Sequence, residues 1–238
     1  MKEKVFPDFD AAVRDIPGGA TLMLGDFGGI GAPQNLIGAL YRLGIGELTV
    51  ISNEHGGTDG RVDVGTLIEA GRVKKIICSI TAATHPSRVT PFVQRYNAGE
   101  IDAELAPQGT LAERIRAGGA GIGAFFTPTG AGTEIAAGKE CRNIGGRRYL
   151  LEYPLKADFA LIRAWQADTA GNLRFRLAQR NFNAIMAMAA GVTIVEVENP
   201  VVAAGELDPD DIHVPGVYVN RIVEIPSDRM FLREGSLL

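Results

Sequence analysis

The chain has 238 residues, of which 46% are apolar and 22% charged, so it can bury the core of one large domain or two small ones. A net charge of −4 without a basic cluster argues against nucleic acid or a membrane surface as partner, because both require concentrated positive charge. No run approaches the roughly 18 consecutive apolar residues of a membrane span, and the first residues lack the apolar stretch of a signal peptide. We therefore expect a soluble, cytoplasmic protein.

The first half of the chain alternates between short apolar runs and segments with helical periodicity. Helices are predicted over residues 10–16, 33–43, 64–70, 86–96 and 111–117, and strands over residues 21–24, 48–52, 75–80 and 101–105. Pro33 suits the first turn of a helix, and Gly44 is typical of the residue that ends one. Strands and helices that alternate in this way predict an open α/β fold, with a mainly parallel sheet flanked by helices.

The second half has a different pattern. Residues 118–132 contain six glycines and no helical period, which predicts a long loop of the kind that often has a function. Strands are predicted over 160–164 and 192–197, with a hairpin around Asp168–Asn172, a helix over 183–190 and an acidic turn over 205–211. We see no linker or repeat, so we expect a single domain over residues 1–238 with a loosely held tail from residue 227.

The strongest local motif is a glycine-rich segment that follows the first predicted strand and precedes a helix. Its residues are Gly25, Asp26, Phe27, Gly28, Gly29, Ile30 and Gly31. Glycines let the backbone turn sharply and expose N–H groups near a helix N-terminus, so the segment is a candidate anion or pyrophosphate site. The alternative is a turn that only requires positive φ angles. The spacing differs from G-x-G-x-x-G, but Glu54 follows the second strand where a ribose-binding carboxylate would lie, so a nicotinamide-dependent oxidoreductase remains a second hypothesis.

A second candidate site begins at Gln108, directly after the fourth predicted strand. Its side-chain amide could stabilise a developing oxyanion. Thr110, with Glu113 three residues later, also fits a capping box at the start of the next helix, which would leave Gln108 as an ordinary surface residue. Both interpretations can hold, because a cap would also fix the loop before the helix.

Other chemistries have little support. The three histidines are scattered without a neighbouring ligand at metal spacing, so we predict no metal site. No serine lies in a G-x-S-x-G motif, which argues against a hydrolase triad. Glu54 and Glu134 lie in glycine-rich segments, where a solvated side chain is the ordinary outcome for a glutamate.

Several segments together resemble the family I coenzyme A transferases, specifically α (A) subunits of the 3-oxoacid or 3-oxoadipate type. The resemblance runs from about residue 5 to 225. The segments that carry it are residues 25–33, 107–116, 121–130, 157–164, 171–173, 180–183 and 205–209.

The resemblance implies a CoA-transferase fold of the NagB/RpiA-like type and a homologous β subunit, usually in an α2β2 assembly. On that β subunit, a glutamate would attack an acyl-CoA thioester and later carry CoA as a glutamyl thioester. Coenzyme A would then be a substrate, with no permanently bound cofactor. In this family the segment Gly25–Gly31 corresponds to the CoA-binding stretch, and Gln108 and Asn53 match polar positions that support the oxyanion.

Two features depart from the family pattern. Asp26 stands where the family usually has a second glycine, and a carboxylate there would repel an anionic ligand unless it points away. That departure leaves open a third hypothesis, a catalytically silent ligand-binding homologue. The segment around Glu54 superficially resembles the glutamate motif of the β subunit, although the rest of the chain resembles α.

Overall fold

The computed structural model describes residues 3–57, 60–82 and 89–226. Seven strands form the central sheet: β1 (Thr21–Leu24), β2 (Leu48–Ile51), β3 (Val73–Cys78), β4 (Asp102–Leu105), β8 (Ala157–Ala164), β11 (Ala190–Val197) and β12 (Arg221–Glu224). Their order is β12-β11-β8-β1-β2-β3-β4, and every neighbouring pair is parallel. The predicted open, parallel α/β sheet is therefore confirmed.

Within the described residues, six α-helices accompany the sheet: α1 (Phe9–Val13), α2 (Gln34–Arg42), α3 (Val64–Glu69), α4 (Pro91–Asn97), α5 (Gln108–Ala120) and α6 (Asn181–Ala187). Each overlaps a predicted helix, with shifted ends. The helix predicted to start at residue 86 begins at Pro91, because the Thr90 side chain accepts from the N–H of Val93 and Pro91 occupies the first turn. Residues 86–88 of that prediction lie outside the described residues.

Each face of the sheet has its own hydrophobic core, because successive strand residues point to opposite faces. In β1, Leu22 and Leu24 belong to the cluster that includes residues of α1, α2, α3 and α4. Met23, between them, belongs to the cluster that includes residues of α5 and α6. The sheet is thus buried on both sides, as parallel sheets generally are.

The strand order reverses direction between β1 and β8. The chain adds strands outward from β1 to β4 on one side, and then adds β8, β11 and β12 on the other. In open α/β sheets, the carboxyl ends of the strands at such a switch point flank a crevice where ligands bind. The glycine-rich segment follows β1 and therefore lies at this crevice.

A small antiparallel sheet was not predicted. It consists of β5 (Phe125–Thr127), β6 (Cys141–Ile144) and β7 (Arg147–Glu152), in the order β5-β7-β6. Gly145 and Gly146, both at positive φ, join β6 to β7, and this two-glycine turn is a hairpin signal that the sequence contains.

The loop predicted over residues 118–132 is wrong in part, because α5 extends to Ala120 and β5 begins at Phe125. Gly121 ends α5 in the left-handed conformation, with its N–H bonded to the carbonyl of Ala117. The glycines at 118 and 119 therefore belong to the helix. Gly118 has a packing reason there, since a Cβ would overlap the carbonyl oxygen of Leu155.

The predicted hairpin around Asp168 is confirmed by the antiparallel strands β9 (Gln166–Ala167) and β10 (Leu173–Arg174). The Asp168 side chain accepts from the backbone N–H of Asn172 at 2.9 Å, which stabilises the turn. The predicted tail from residue 227 lies outside the described residues. Within the described ranges, no helix is both long enough and apolar enough to span a membrane.

Candidate functional site

The glycine-rich segment, residues Gly25 to Gly31, forms a tight turn at the switch point. The N–H of Gly25 bonds to the carbonyl of Leu161 in β8 at 3.0 Å, and Phe27 and Ile30 exchange backbone hydrogen bonds of 3.3 and 3.1 Å. Gly28 and Gly29 occupy the tip with φ of 61° and 80°. The tip therefore requires glycine, and it holds the side chains of Phe27 and Ile30 about half exposed beside it. We call this segment the glycine turn.

The base of the glycine turn packs on Asn183 of α6. A Cβ on Gly25 would overlap the Asn183 Oδ1 atom, and one on Gly31 would lie 2.7 Å from its Nδ2 atom. Asn183 is fully buried; its Nδ2 donates to the Gly31 carbonyl at 3.2 Å, and its Oδ1 accepts from the N–H of Arg163 at 3.1 Å. One side chain thus joins the start of the turn, its end and strand β8.

Asn181 holds the end of the glycine turn, and Glu196 holds the start of the helix that follows it. The Asn181 Nδ2 atom donates to the carbonyl of Ile30 at 2.8 Å. The buried Glu196 carboxylate accepts from the N–H groups of Asn35 and Leu36 at 2.9 and 3.0 Å, and so caps α2, which has no other side-chain cap. Burial raises the pKa of Glu196 to about 7, although Arg163 and these N–H donors oppose the shift.

Asn181, Asn183 and Glu196 had no predicted role. Asn181 and Asn183 belong to one of the segments on which the family resemblance rests, and that was the available signal for them. For Glu196 the only signal was a glutamate in an otherwise apolar strand.

The two backbone N–H groups at the tip of the turn differ in whether they have a hydrogen-bond acceptor. The N–H of Gly29 donates to Glu54 Oε1 at 3.2 Å. The N–H of Gly28 has no acceptor among the described residues, and a Cβ on Gly28 would meet no atom within 4 Å. The Arg61 guanidinium donates to the Gly28 carbonyl at 3.3 Å and places a positive charge beside the tip. Gly28 therefore presents an open donor at the tip of the turn, next to a cation.

The side chain of Asp26 lies inside the protein, with 3% of its surface exposed. Burial and the neighbouring carboxyl group of Glu54 raise the pKa of Asp26 to about 8, and the charge of Asp63 acts in the same direction. The raised pKa favours the protonated form of Asp26 near neutral pH. The expected repulsion of an anionic ligand is therefore reduced, because the carboxyl group is buried beside Glu54 rather than exposed in the crevice.

Asn53 and Gln108, predicted to act together, are in contact. Gln108 Nε2 donates to Asn53 Oδ1 at 2.8 Å, and the Ser79 hydroxyl donates to the same oxygen at 2.8 Å. Asn53 is fully buried, and its Nδ2 atom has no hydrogen-bond partner among the described residues. Gln108 is the exposed member of the pair, so it can contact a ligand while Asn53 orients it.

The predicted capping box at Thr110 is wrong. Helix α5 begins at Gln108 after Pro107, three residues earlier than the box requires, and no side chain among the described residues caps its first turn. Thr110 lies within that first turn, where its hydroxyl is buried and has no hydrogen-bond partner in the part of the chain that the structure describes. Gln108 is consequently held by the start of α5 itself.

Comparisons with known proteins agree with this geometry. The sequence profile described as coenzyme A transferase matches residues 7–225. The chain is 48% identical to the A subunit of the 3-oxoadipate CoA-transferase of Pseudomonas putida over 225 residues, 94% of this chain and 95% of that protein. It is 47% identical to the A subunit of the succinyl-CoA:3-ketoacid coenzyme A transferase of Helicobacter pylori over 219 residues, 92% of this chain and 91% of that one.

A solved structure extends the comparison. The acyl-CoA transferase of Escherichia coli O157:H7, crystallised as a thioester complex with CoA, is 25% identical and superposes with a TM-score of 0.81. The match covers 99% of this chain and 52% of that one. These comparisons favour the transferase hypothesis over the nicotinamide-dependent oxidoreductase. The chain belongs to the coenzyme A transferase family.

Proposed function

We propose that this chain is the α (A) subunit of an enzyme that transfers CoA from an acyl-CoA such as succinyl-CoA to a 3-oxo acid, together with a β (B) subunit. The observation that carries the proposal is the extent of the similarity to proteins named as A subunits, which spans 94% of this chain and 95% of the Pseudomonas relative. Because that relative is named as one subunit of its enzyme, we expect this chain to need a β subunit for activity.

In the reaction we propose, the β subunit supplies the nucleophile and this chain supplies donors that stabilise the oxyanions. On the β subunit, a glutamate attacks the carbonyl carbon of the thioester, and the thiolate of CoA leaves to give a mixed anhydride. The thiolate then attacks the glutamyl carbonyl, which releases the first acid and forms the glutamyl-CoA thioester. Each attack places negative charge on a carbonyl oxygen, which a fixed donor stabilises if water is excluded.

In this chain we assign the donor roles to Gly28 and Gln108. The N–H of Gly28 is open at the tip of the glycine turn, and the amide of Gln108 is oriented by Asn53. The remaining residues of the turn, Gly25, Asp26, Phe27, Gly29, Ile30 and Gly31, shape the coenzyme site around that donor. Coenzyme A enters and leaves as a substrate, and the assembly we propose is α2β2.

The first experiment tests the division of labour between the chains. This chain, the β subunit, and the complex of the two are purified and assayed for CoA transfer from succinyl-CoA to acetoacetate, and we expect activity only in the complex. Borohydride reduction of the complex after incubation with acyl-CoA should mark one glutamate, which peptide mass spectrometry locates. A mark on Glu54 of this chain, or turnover by this chain alone, would contradict the proposed arrangement.

The second experiment tests Gln108 as an oxyanion donor. Gln108→Leu in the complex should reduce kcat by about 10- to 100-fold, in the range found for the loss of one such donor or somewhat below it. Gln94→Leu, the same change at an exposed position of α4, should leave kcat unaltered. Equal kinetics for the two variants would remove Gln108 from the proposed site.

A further inference from the structure

A cavity of about 410 Å³ opens directly beside the glycine turn. It lies between the turn, the first half of α5 and the start of α6. Its walls are formed by Phe27, Ala112, Ala178, Asn181, Phe182 and Ile185. Cavities of this size are within the range of small-molecule sites, which is about 300–1,000 Å³.

The lining of the cavity is apolar except for one residue. Five of its six residues are aliphatic or aromatic, and none is charged. Asn181 is the exception, but its polar atoms are already used: Nδ2 donates to the carbonyls of Ile30 and Ala178, and Oδ1 accepts from the N–H of Phe182. A carboxylate placed among these walls would lose its hydration without gaining a partner, whereas an alkyl chain would lose nothing.

Two of the lining residues are close in the chain to the proposed oxyanion donors. Phe27 adjoins Gly28 in the glycine turn, so the wall that it forms begins one residue from the open N–H. Ala112 follows Gln108 by four residues in α5, and residues at that spacing lie on the same face of a helix. A substrate whose carbonyl oxygen approaches Gly28 and Gln108 would therefore extend its far end toward the cavity.

We propose that this cavity binds the hydrocarbon end of the 3-oxo acid and makes the enzyme selective for acids that end in an alkyl group over acids that end in a second carboxylate. The inference rests on the proposed function and deepens it. It also distinguishes between the two relatives, one named for 3-oxoadipate and the other for 3-ketoacids.

The test uses two acids of equal length, 3-oxohexanoate and 3-oxoadipate, which differ only in a terminal methyl or carboxylate group. With the two-subunit complex and succinyl-CoA, we expect kcat/KM for 3-oxohexanoate to exceed that for 3-oxoadipate at least tenfold. An equal value, or preference for 3-oxoadipate, overturns the assignment of the cavity but leaves the proposed function intact. If the complex transfers CoA neither to these two acids nor to acetoacetate, the proposed function itself fails.

A variant then locates the selectivity. Ala112→Phe fills the cavity from α5 and should lower the ratio of kcat/KM for 3-oxohexanoate to that for acetoacetate at least tenfold, because only the longer acid needs the space. Ala120→Phe, the same change at the exposed end of α5, should leave this ratio unaltered. Equal losses on both acids, or loss of the β subunit on size-exclusion chromatography, would indicate that the cavity serves the partner and would overturn the proposal.

Discussion

Two glycine-rich regions of this molecule use the same residue for different reasons. In the glycine turn, a Cβ on Gly25, Gly29 or Gly31 would meet a side chain at less than an ordinary contact distance. Around the small antiparallel sheet, Gly132, Gly138, Gly145 and Gly146 all have positive φ and no atom within 4 Å of a Cβ. The first region needs glycine for packing as well as for backbone conformation, whereas these four positions of the second need it for backbone conformation.

Gly28 is the informative exception. It lies in the glycine turn, yet it shares the positive φ and open surroundings of the second region. A Cβ on Gly28 would meet no atom within 4 Å, so packing does not account for glycine at this position. The contrast indicates that the turn is rigid at its base and open at its tip, which is the arrangement that a fixed backbone donor requires.

The largest effect is expected for Gly25→Ala. The φ of Gly25 is not positive, so its effect would come from displacing the buried Asn183 and its hydrogen bonds. We expect a loss of about 3 kcal/mol in the free energy of unfolding, measured by urea denaturation. Gly132→Ala, with positive φ but open space, should lose only about 1 kcal/mol. Equal losses would remove the distinction between the two regions.

The next effect concerns the partner of Gly25. Asn183→Ala removes the hydrogen bonds to Gly31 and Arg163 and should cost about 2 kcal/mol in the free energy of unfolding. The double variant with Gly25→Ala should be more stable than the sum of the two losses predicts, by about 1 kcal/mol, because the smaller side chain relieves the overlap. If the two losses in the free energy of unfolding add exactly in the double variant, the Cβ at position 25 does not overlap the Asn183 side chain.

A smaller, pH-dependent effect is expected at Asp26. Its pKa is raised from 3.8 to about 8, so the folded chain keeps a proton that the unfolded chain releases, and rising pH weakens the native state across that interval. The full shift corresponds to about 5 kcal/mol at pH 8. We therefore expect Asp26→Asn to raise the free energy of unfolding there by at least about 1–2 kcal/mol, with the difference disappearing near pH 4.

Thermal unfolding at several pH values would measure the effect at Asp26. Glu54→Gln provides a comparison, because it removes one cause of the shift while leaving Asp26 buried. It should weaken the pH dependence without abolishing it. A difference between Asp26→Asn and the parent chain that is the same at pH 4 and pH 8 would show that Asp26 is not protonated in the folded state.

The smallest effect on stability is expected for Gly28→Ala. It should cost about 1 kcal/mol in the free energy of unfolding, the same as Gly132→Ala, since both positions have positive φ and open space. In the two-subunit complex, Gly28→Ala should lower the transfer activity tenfold or more, because the added methyl group would displace the reacting carbonyl. Gly132→Ala should leave the transfer activity unaltered. Equal activities would argue against Gly28 as the open donor.

Local patterns in the sequence predicted much of the architecture. The alternation of strands and helices predicted the parallel sheet, and the position of the glycine turn after the first strand placed it at the crevice. The turn residues Asp168 and Asn172 identified the hairpin correctly. The hairpin through Gly145 and Gly146 has a two-glycine turn, which is a local signal of the same kind, so this hairpin too is predictable from the sequence.

Contacts between distant segments were decided by the tertiary structure alone. The sequence determined that residues 25–31 must turn, because backbone conformation depends on neighbours a few positions away. It could not show that Asn183 lies against Gly25, that Glu196 caps α2, or that Asp26 is buried beside Glu54. Burial, desolvation and hydrogen bonding across the sheet depend on which segments meet in space, and no local period encodes those partners.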